Sequence, residues 1–123
     1  MIMSQTQEYY IADVAEIPVG GRLLVTVEGR EIGIFNLNGN FYALRNYCFH
    51  QGGPLCEGKV TGTLKATKEN NWRFTWGQEG EILRCPWHSM EFHLPTGQCL
   101  PFPNRRAQTY PVTIKDEKIF VSF

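Results

Sequence analysis

The chain has 123 residues, with twelve Lys plus Arg balancing twelve Asp plus Glu for a formal net charge of zero. That is the length of one domain with enough apolar sequence for a modest core, and the balanced charge gives no electrostatic footing for nucleic acid or an anionic membrane surface. No apolar run approaches a membrane span and residues 1–11 are too polar for a signal peptide, so a cytoplasmic protein is expected.

In chain order, alternating apolar and polar residues predict strands over Leu23–Glu28 and Glu31–Asn36, parted at Glu28-Gly29-Arg30. Asn38-Gly39 then predicts a tight hairpin into Asn40–Leu44. Further strands are expected over Gly62–Ala66, Trp72–Trp76, Glu81–Arg84, Glu91–Leu94, Tyr110–Lys115 and Lys118–Phe123. Gly and Pro gather in Gly52–Gly58, at Pro86 and in Pro95–Pro103, which read as loops. Short strands, frequent turns and the lack of an amphipathic helix predict an all-β sandwich or barrel.

Chemistry concentrates in two of those loops. Cys48-Phe49-His50 is followed, after residues 51–84, by Cys85-Pro86-Trp87-His88. Each loop offers one thiolate and one imidazole. A thiolate pair suits sulfide-bridged iron, and an imidazole pair suits a second iron that accepts an electron at a higher potential. Nearby Gly and Pro let backbone approach such a cluster closely and aim N–H groups at its sulfurs. Spacing by itself also leaves open a tetrahedral Cys2His2 zinc site, although cysteine and histidine alternate here whereas common zinc fingers group the cysteines first.

Cys48-Phe49-His50-Gln51-Gly52-Gly53-Pro54-Leu55 resembles the first cluster loop of the Rieske family, C-x-H-x-G-x-P-L. Cys85-Pro86-Trp87-His88 resembles the second, and Glu91–Gly97 is similar to the strand and turn that follow it. Tyr110-Pro111-Val112 and the run to Phe123 are similar to the family's final strands. The likeness is highly specific in the two loops and loose elsewhere. It implies a Rieske-type antiparallel fold of three sheets, a single domain over 1–123. A cluster-binding subdomain at roughly 46–103 would be inserted in a base built from both chain ends. It implies one 2Fe-2S cluster, with Cys48 and Cys85 on the inner iron and His50 and His88 on the outer iron near solvent.

The departures carry information too. The family's respiratory-complex branch has a disulfide between its cluster loops; the matching positions here are Gly53 and Trp87. That branch also has a hydroxyl and a tyrosine where this chain has Met90 and Phe92. Ser89 stands where a glycine is usual, and the stretch 59–84 is longer than in the shortest members. The resemblance therefore implies the ferredoxin branch: a one-electron carrier, not itself an enzyme, passing electrons from a reductase to a terminal oxygenase. The alternatives are the small subunit of a nitrite-reductase-like enzyme and a structural zinc module. A stand-alone oxygenase would need a two-His, one-carboxylate iron site, and beyond the four ligands only His93 remains.

The other conspicuous residues read as ordinary. Cys56 and Cys99 are expected to be small buried or half-buried side chains, with a disulfide between them the lesser alternative, His93 a surface strand residue rather than a fifth ligand, and Trp72 and Trp76 packing residues of a hairpin. Partners are expected to dock at the tip bearing His50 and His88. Cys48–Leu55, Cys85–Met90 and Leu94–Pro103 contain no Asp, Glu, Lys or Arg, which predicts apolar docking with Leu55 and Phe102 among its contacts.

Overall fold

The structure is a computed structural model that describes residues 6–49, 52–66, 68, 71–87 and 89–123. Among the described residues ten strands form three antiparallel sheets: β1 (Glu8–Asp13), β10 (Lys118–Ser122) and β9 (Val112–Lys115) in the first; β2 (Arg22–Val27), β3 (Arg30–Leu37), β4 (Asn40–Arg45) and β8 (Thr109–Tyr110) in the second; β5 (Lys59–Ala66), β6 (Phe74–Arg84) and β7 (Glu91–His93) in the third. The expected all-β, three-sheet antiparallel class is what forms. The chain divides into two compact units, one of residues 1–46 with 108–123 and one of residues 47–107.

The first unit contains the first two sheets. Its core is Ile17, Ile32, Ile34, Ala43, Tyr110, Ile119 and Val121. Burying each isoleucine contributes roughly 1.5–3 kcal/mol relative to exposure. Residues Asn38 and Gly39 take φ of 53° and 92°, the left-handed pair that a two-residue hairpin needs to match strand twist, and Leu37 faces Asn40 across it. Asn36 is buried but satisfied: its Nδ2 donates to the Ile17 carbonyl at 2.8 Å and its Oδ1 accepts from Gly39 N–H at 2.9 Å.

Two features of this unit differ from expectation. Glu8–Asp13, where the sequence predicted no strand, is strand β1, paired with β10 and offset between Tyr10 and Ala12. Gln7 and Phe123 exchange backbone hydrogen bonds of 3.1 Å in both directions, so the two ends of the unit close on each other. Tyr110–Lys115 is not one strand. Pro111 has no N–H to give a ladder, and the chain changes sheets there, with Tyr110 opposite Ala43 and Val112 opposite Val121.

In the second unit, Trp72–Trp76 and Glu81–Arg84 lie in or beside one long strand, β6, rather than two. Its ladder with β5 slips between Thr61 facing Ile82 and Thr63 facing Gly77, with Gly80 at φ 82° inside the bulge. Both tryptophans are largely exposed. Trp72 sits at a turn with φ 57° and is 66% exposed, and Trp76 is 53% exposed, so their reading as packing residues is corrected. A turn residue in the left-handed region has no sheet face beneath it to cover. Leu55, Cys56, Ile82, Leu83, Phe92, Leu94 and Cys99 are among the buried apolar residues of this unit.

Candidate metal centre

Both cysteine loops close in the same way. In the first, Cys48 N–H donates to the Gly53 carbonyl at 2.8 Å and the Cys48 carbonyl accepts from Gly52 N–H at 2.7 Å. In the second, Cys85 N–H donates to the Met90 carbonyl at 2.9 Å and the Cys85 carbonyl accepts from Ser89 N–H at 2.9 Å. The bonds span four and five residues in each loop, so the two turns repeat one design around a cysteine. Both cysteines are 2% exposed.

The second loop is gripped at its stems. Arg84 and Glu91, cross-strand partners on β6 and β7, pair at 2.7 Å immediately before Cys85 and after Met90. An exposed pair of this kind adds about 0.2–1 kcal/mol. Ser89 has φ 54°, the conformation that explains why glycine is usual at this position; serine accepts a cost of roughly 1 kcal/mol there.

Gly53 brings the loops together. A Cβ added to it would lie 3.1 Å from Cys85 Sγ and 3.0 Å from Cγ and Cδ2 of Trp87. The backbone of the first loop thus passes against the thiol of the second, and a side chain at 53 would press on the Cys85 thiol and the Trp87 ring. Trp87 covers this contact with one part of its ring while remaining 55% exposed. Phe49, next to Cys48, meets the buried Phe92 edge-on with centroids 5.7 Å apart.

Of the four expected ligands, Cys48 and Cys85 are thus carried on matching loops that meet at Gly53, while His50 and His88 lie outside the described residues. Among the described residues no group of three or more His, Cys, Asp or Glu gathers as a metal site. His93 has protein partners at both ring nitrogens: Nδ1 with Thr96 Oγ1 at 2.9 Å and Nε2 with Glu81 Oε1 at 3.2 Å. It is half-buried rather than an open surface residue, and its nitrogens are committed to protein. Cys56 and Cys99 are fully buried and not joined by a disulfide. Burial pushes the Cys99 thiol above its ordinary range, which keeps it protonated and inert.

Leu55 was expected at the docking rim, but it is fully buried in a short 3-10 turn over residues 55–57. Phe102, by contrast, is 49% exposed. Sequence reasoning missed Arg105, whose guanidinium carbon lies 4.2 Å from the centre of the Phe49 ring. Nothing local distinguishes it from Arg106.

The donor chemistry fits a sulfide-bridged iron pair as far as the described residues reach: two buried thiols, on closed turns, with a side-chain-free backbone between them. Comparison with known proteins agrees with that chemistry. The Rieske [2Fe-2S] domain family matches residues 7–111. The ferredoxin component of a naphthalene 1,2-dioxygenase system from Pseudomonas aeruginosa is 31% identical over 107 residues, 86% of each chain. Sphingomonas yanoikuyae B1 ferredoxin has a similar structure, with a TM-score of 0.70 at 25% identity over 95% of this chain and 99% of that one. A chain of the reduced oxygenase–ferredoxin complex of carbazole 1,9a-dioxygenase shares the fold at a TM-score of 0.70 and 17% identity; the match takes in 93% of this chain but 27% of that one.

Proposed function

The chain belongs to the Rieske [2Fe-2S] domain family, and from that premise we propose that it is a one-electron carrier passing electrons from a reductase to a terminal oxygenase. The relatives it matches along most of their length are named as ferredoxin components, electron-transfer subunits rather than catalytic ones. Family membership removes the zinc alternative. The cluster, when bound, supplies reversible uptake of a single electron.

The chain's own residues have distinct tasks. Cys48 and Cys85 would hold the inner iron, and His50 and His88 the outer one. Gly53 leaves space for the two loops to meet, with the Trp87 ring and the Cys85 thiol both close to it. The partners are proposed to dock near His50 and His88. Residues 1–123 are taken as one Rieske domain with its cluster-binding part at roughly 46–103, which the compact unit of residues 47–107 supports. A cytoplasmic location is proposed because Cys48, Cys56, Cys85 and Cys99 form no disulfide. No described helix is long and apolar enough to cross a membrane.

The observation that carries the site assignment is the contact of Gly53 with Cys85 between two identically closed turns. Iron and acid-labile sulfide assays on protein from its native host test it. Two irons and two sulfides per chain are expected, lost in Cys48→Ser and Cys85→Ser, lost or labile in His50→Ala and His88→Ala, and retained in His93→Ala. Stoichiometric zinc without sulfide would overturn the reading.

A further inference from the structure

Arg105 belongs to none of the cluster motifs, yet it reaches the first cluster loop. Its guanidinium carbon stands 4.2 Å from the centre of the Phe49 ring, and Phe49 is the residue between Cys48 and His50. That ring is braced on the fully buried Phe92. The backbone of Arg105 is fixed as well. Its N–H donates to the Phe102 carbonyl at 2.8 Å, and its carbonyl accepts from the N–H of buried Cys99 at 2.9 Å. A guanidinium does not lose its proton in any ordinary pH range, so this is a permanent charge held at a defined place.

We propose that Arg105 is a positioning residue that sets the cluster's potential: its guanidinium, seated on Phe49, holds the first ligand loop and favours the reduced state. The inference rests on the reading of Cys48–His50 as a ligand loop. Reduction adds one electron, delivered by the reductase, and neither forms nor breaks a bond. The reduced cluster is one charge more negative than the oxidised one. A fixed cation beside it stabilises that state more than the other, and so raises the midpoint. The cation–ring contact supplies the position that a freely moving surface charge lacks. Arg106, the next residue, carries the same charge and serves as the control.

The test is voltammetry of the iron-loaded full chain and its variants at low and high ionic strength, with iron and sulfide assayed in every sample. Arg105→Gln should lower the ratio of reduced to oxidised protein at a fixed potential by about three-fold or more, and added salt should narrow the difference. Arg105→Lys should recover part of the loss, and Arg106→Gln should shift the ratio less than Arg105→Gln. Phe49→Leu, which removes the seat and leaves the charge, should shift it in the same direction. Combining it with Arg105→Gln should add less than the sum of the two. Equal shifts in Arg105→Gln and Arg106→Gln, or none in Arg105→Gln with the cluster intact, would overturn the proposal alone. If Arg105→Gln does not load the cluster, Phe49→Leu decides, and an unshifted midpoint there overturns it. Wild-type protein without iron and sulfide would overturn the electron-carrier reading and this inference together.

Discussion

Gly53 and Trp87 are in direct contact: a Cβ on Gly53 would stand 3.0 Å from two ring carbons of Trp87. These are the two positions at which the respiratory branch of the family joins its cluster loops by a disulfide. Here a ring lying on bare backbone occupies the same junction, so the loops are held by packing rather than by a covalent bond. Gly53 does not have a positive φ, and the demand for glycine is therefore one of space.

Gly53→Ala should overpack the junction and destabilise the protein by about 1–3 kcal/mol, with a fall in bound iron. Thermal unfolding and iron content measure both effects. Adding Trp87→Ala should restore part of the stability. No recovery would mean that the clash is with Cys85 Sγ, 3.1 Å from the new methyl.

Replacing both residues, as Gly53→Cys with Trp87→Cys, should restore the cross-link. Cγ of Trp87 is one bond from its Cβ, which keeps the two Cβ atoms within about 4.5 Å, a separation that a disulfide spans. Thiol counting and intact mass after treatment with a thiol oxidant, which takes up the two electrons, should show the loss of two hydrogen atoms. The cross-linked protein should release iron to a chelator more slowly than wild type.

The midpoint potential should fall in the lower half of the range of roughly −150 to +300 mV for Rieske centres. Met90 and Phe92 have no O–H to donate to cluster sulfur or cysteine, and donors there stabilise the reduced state. Phe92→Tyr should raise the midpoint in voltammetry. Phe92 is fully buried, so a hydroxyl that finds no acceptor would instead lower stability by about 1–3 kcal/mol with no rise in potential.

Docking should depend on Phe102 rather than Leu55. Phe102→Ala removes an exposed ring and should slow electron transfer to the partner while leaving the visible spectrum unchanged. Leu55→Ala empties a buried site, and should cost about 2–5 kcal/mol instead of probing the interface. Stopped-flow rates and thermal melts separate the two. Because Arg105 lies on Phe49, the transfer rate should change with ionic strength more than three uncharged segments would predict.

Acid should loosen the unit that holds both chain ends. A hydrogen bond from Lys115 holds the Glu8 carboxyl below its ordinary range, and hydrogen bonds from Tyr10 and then Lys118 do the same for Asp13. Carboxylates whose pKa is depressed by folding contribute stability above their unfolded pKa and lose it as pH falls through the folded value. The contribution should therefore fade below about pH 4. Melting temperature against pH should fall more steeply there in wild type than in the Glu8→Gln, Asp13→Asn double variant.

The cluster loops were legible in the sequence because their chemistry is local. Cys48 with His50 and Cys85 with His88 offer a candidate donor set within two short motifs, and Asn38-Gly39 declares a hairpin by the φ angles it tolerates. Alternation along β2, β3 and β4 likewise needs only neighbouring residues. What tertiary structure decided depends on partners remote in the chain. Glu8–Asp13 becomes a strand because β10 offers it an edge, and the break at Pro111 carries the chain from the sheet of β8 to that of β9. Leu55, Trp72 and Trp76 have the same apolar character in the sequence, yet one is buried and two are exposed, because burial is set by which faces the sheet covers. Arg105 and Phe49 are indistinguishable from other arginines and phenylalanines until the fold of residues 47–107 lays one on the other. A candidate donor set can be read from residue type, spacing and family resemblance; the seat of Arg105 on Phe49 follows from contacts that only the folded chain makes.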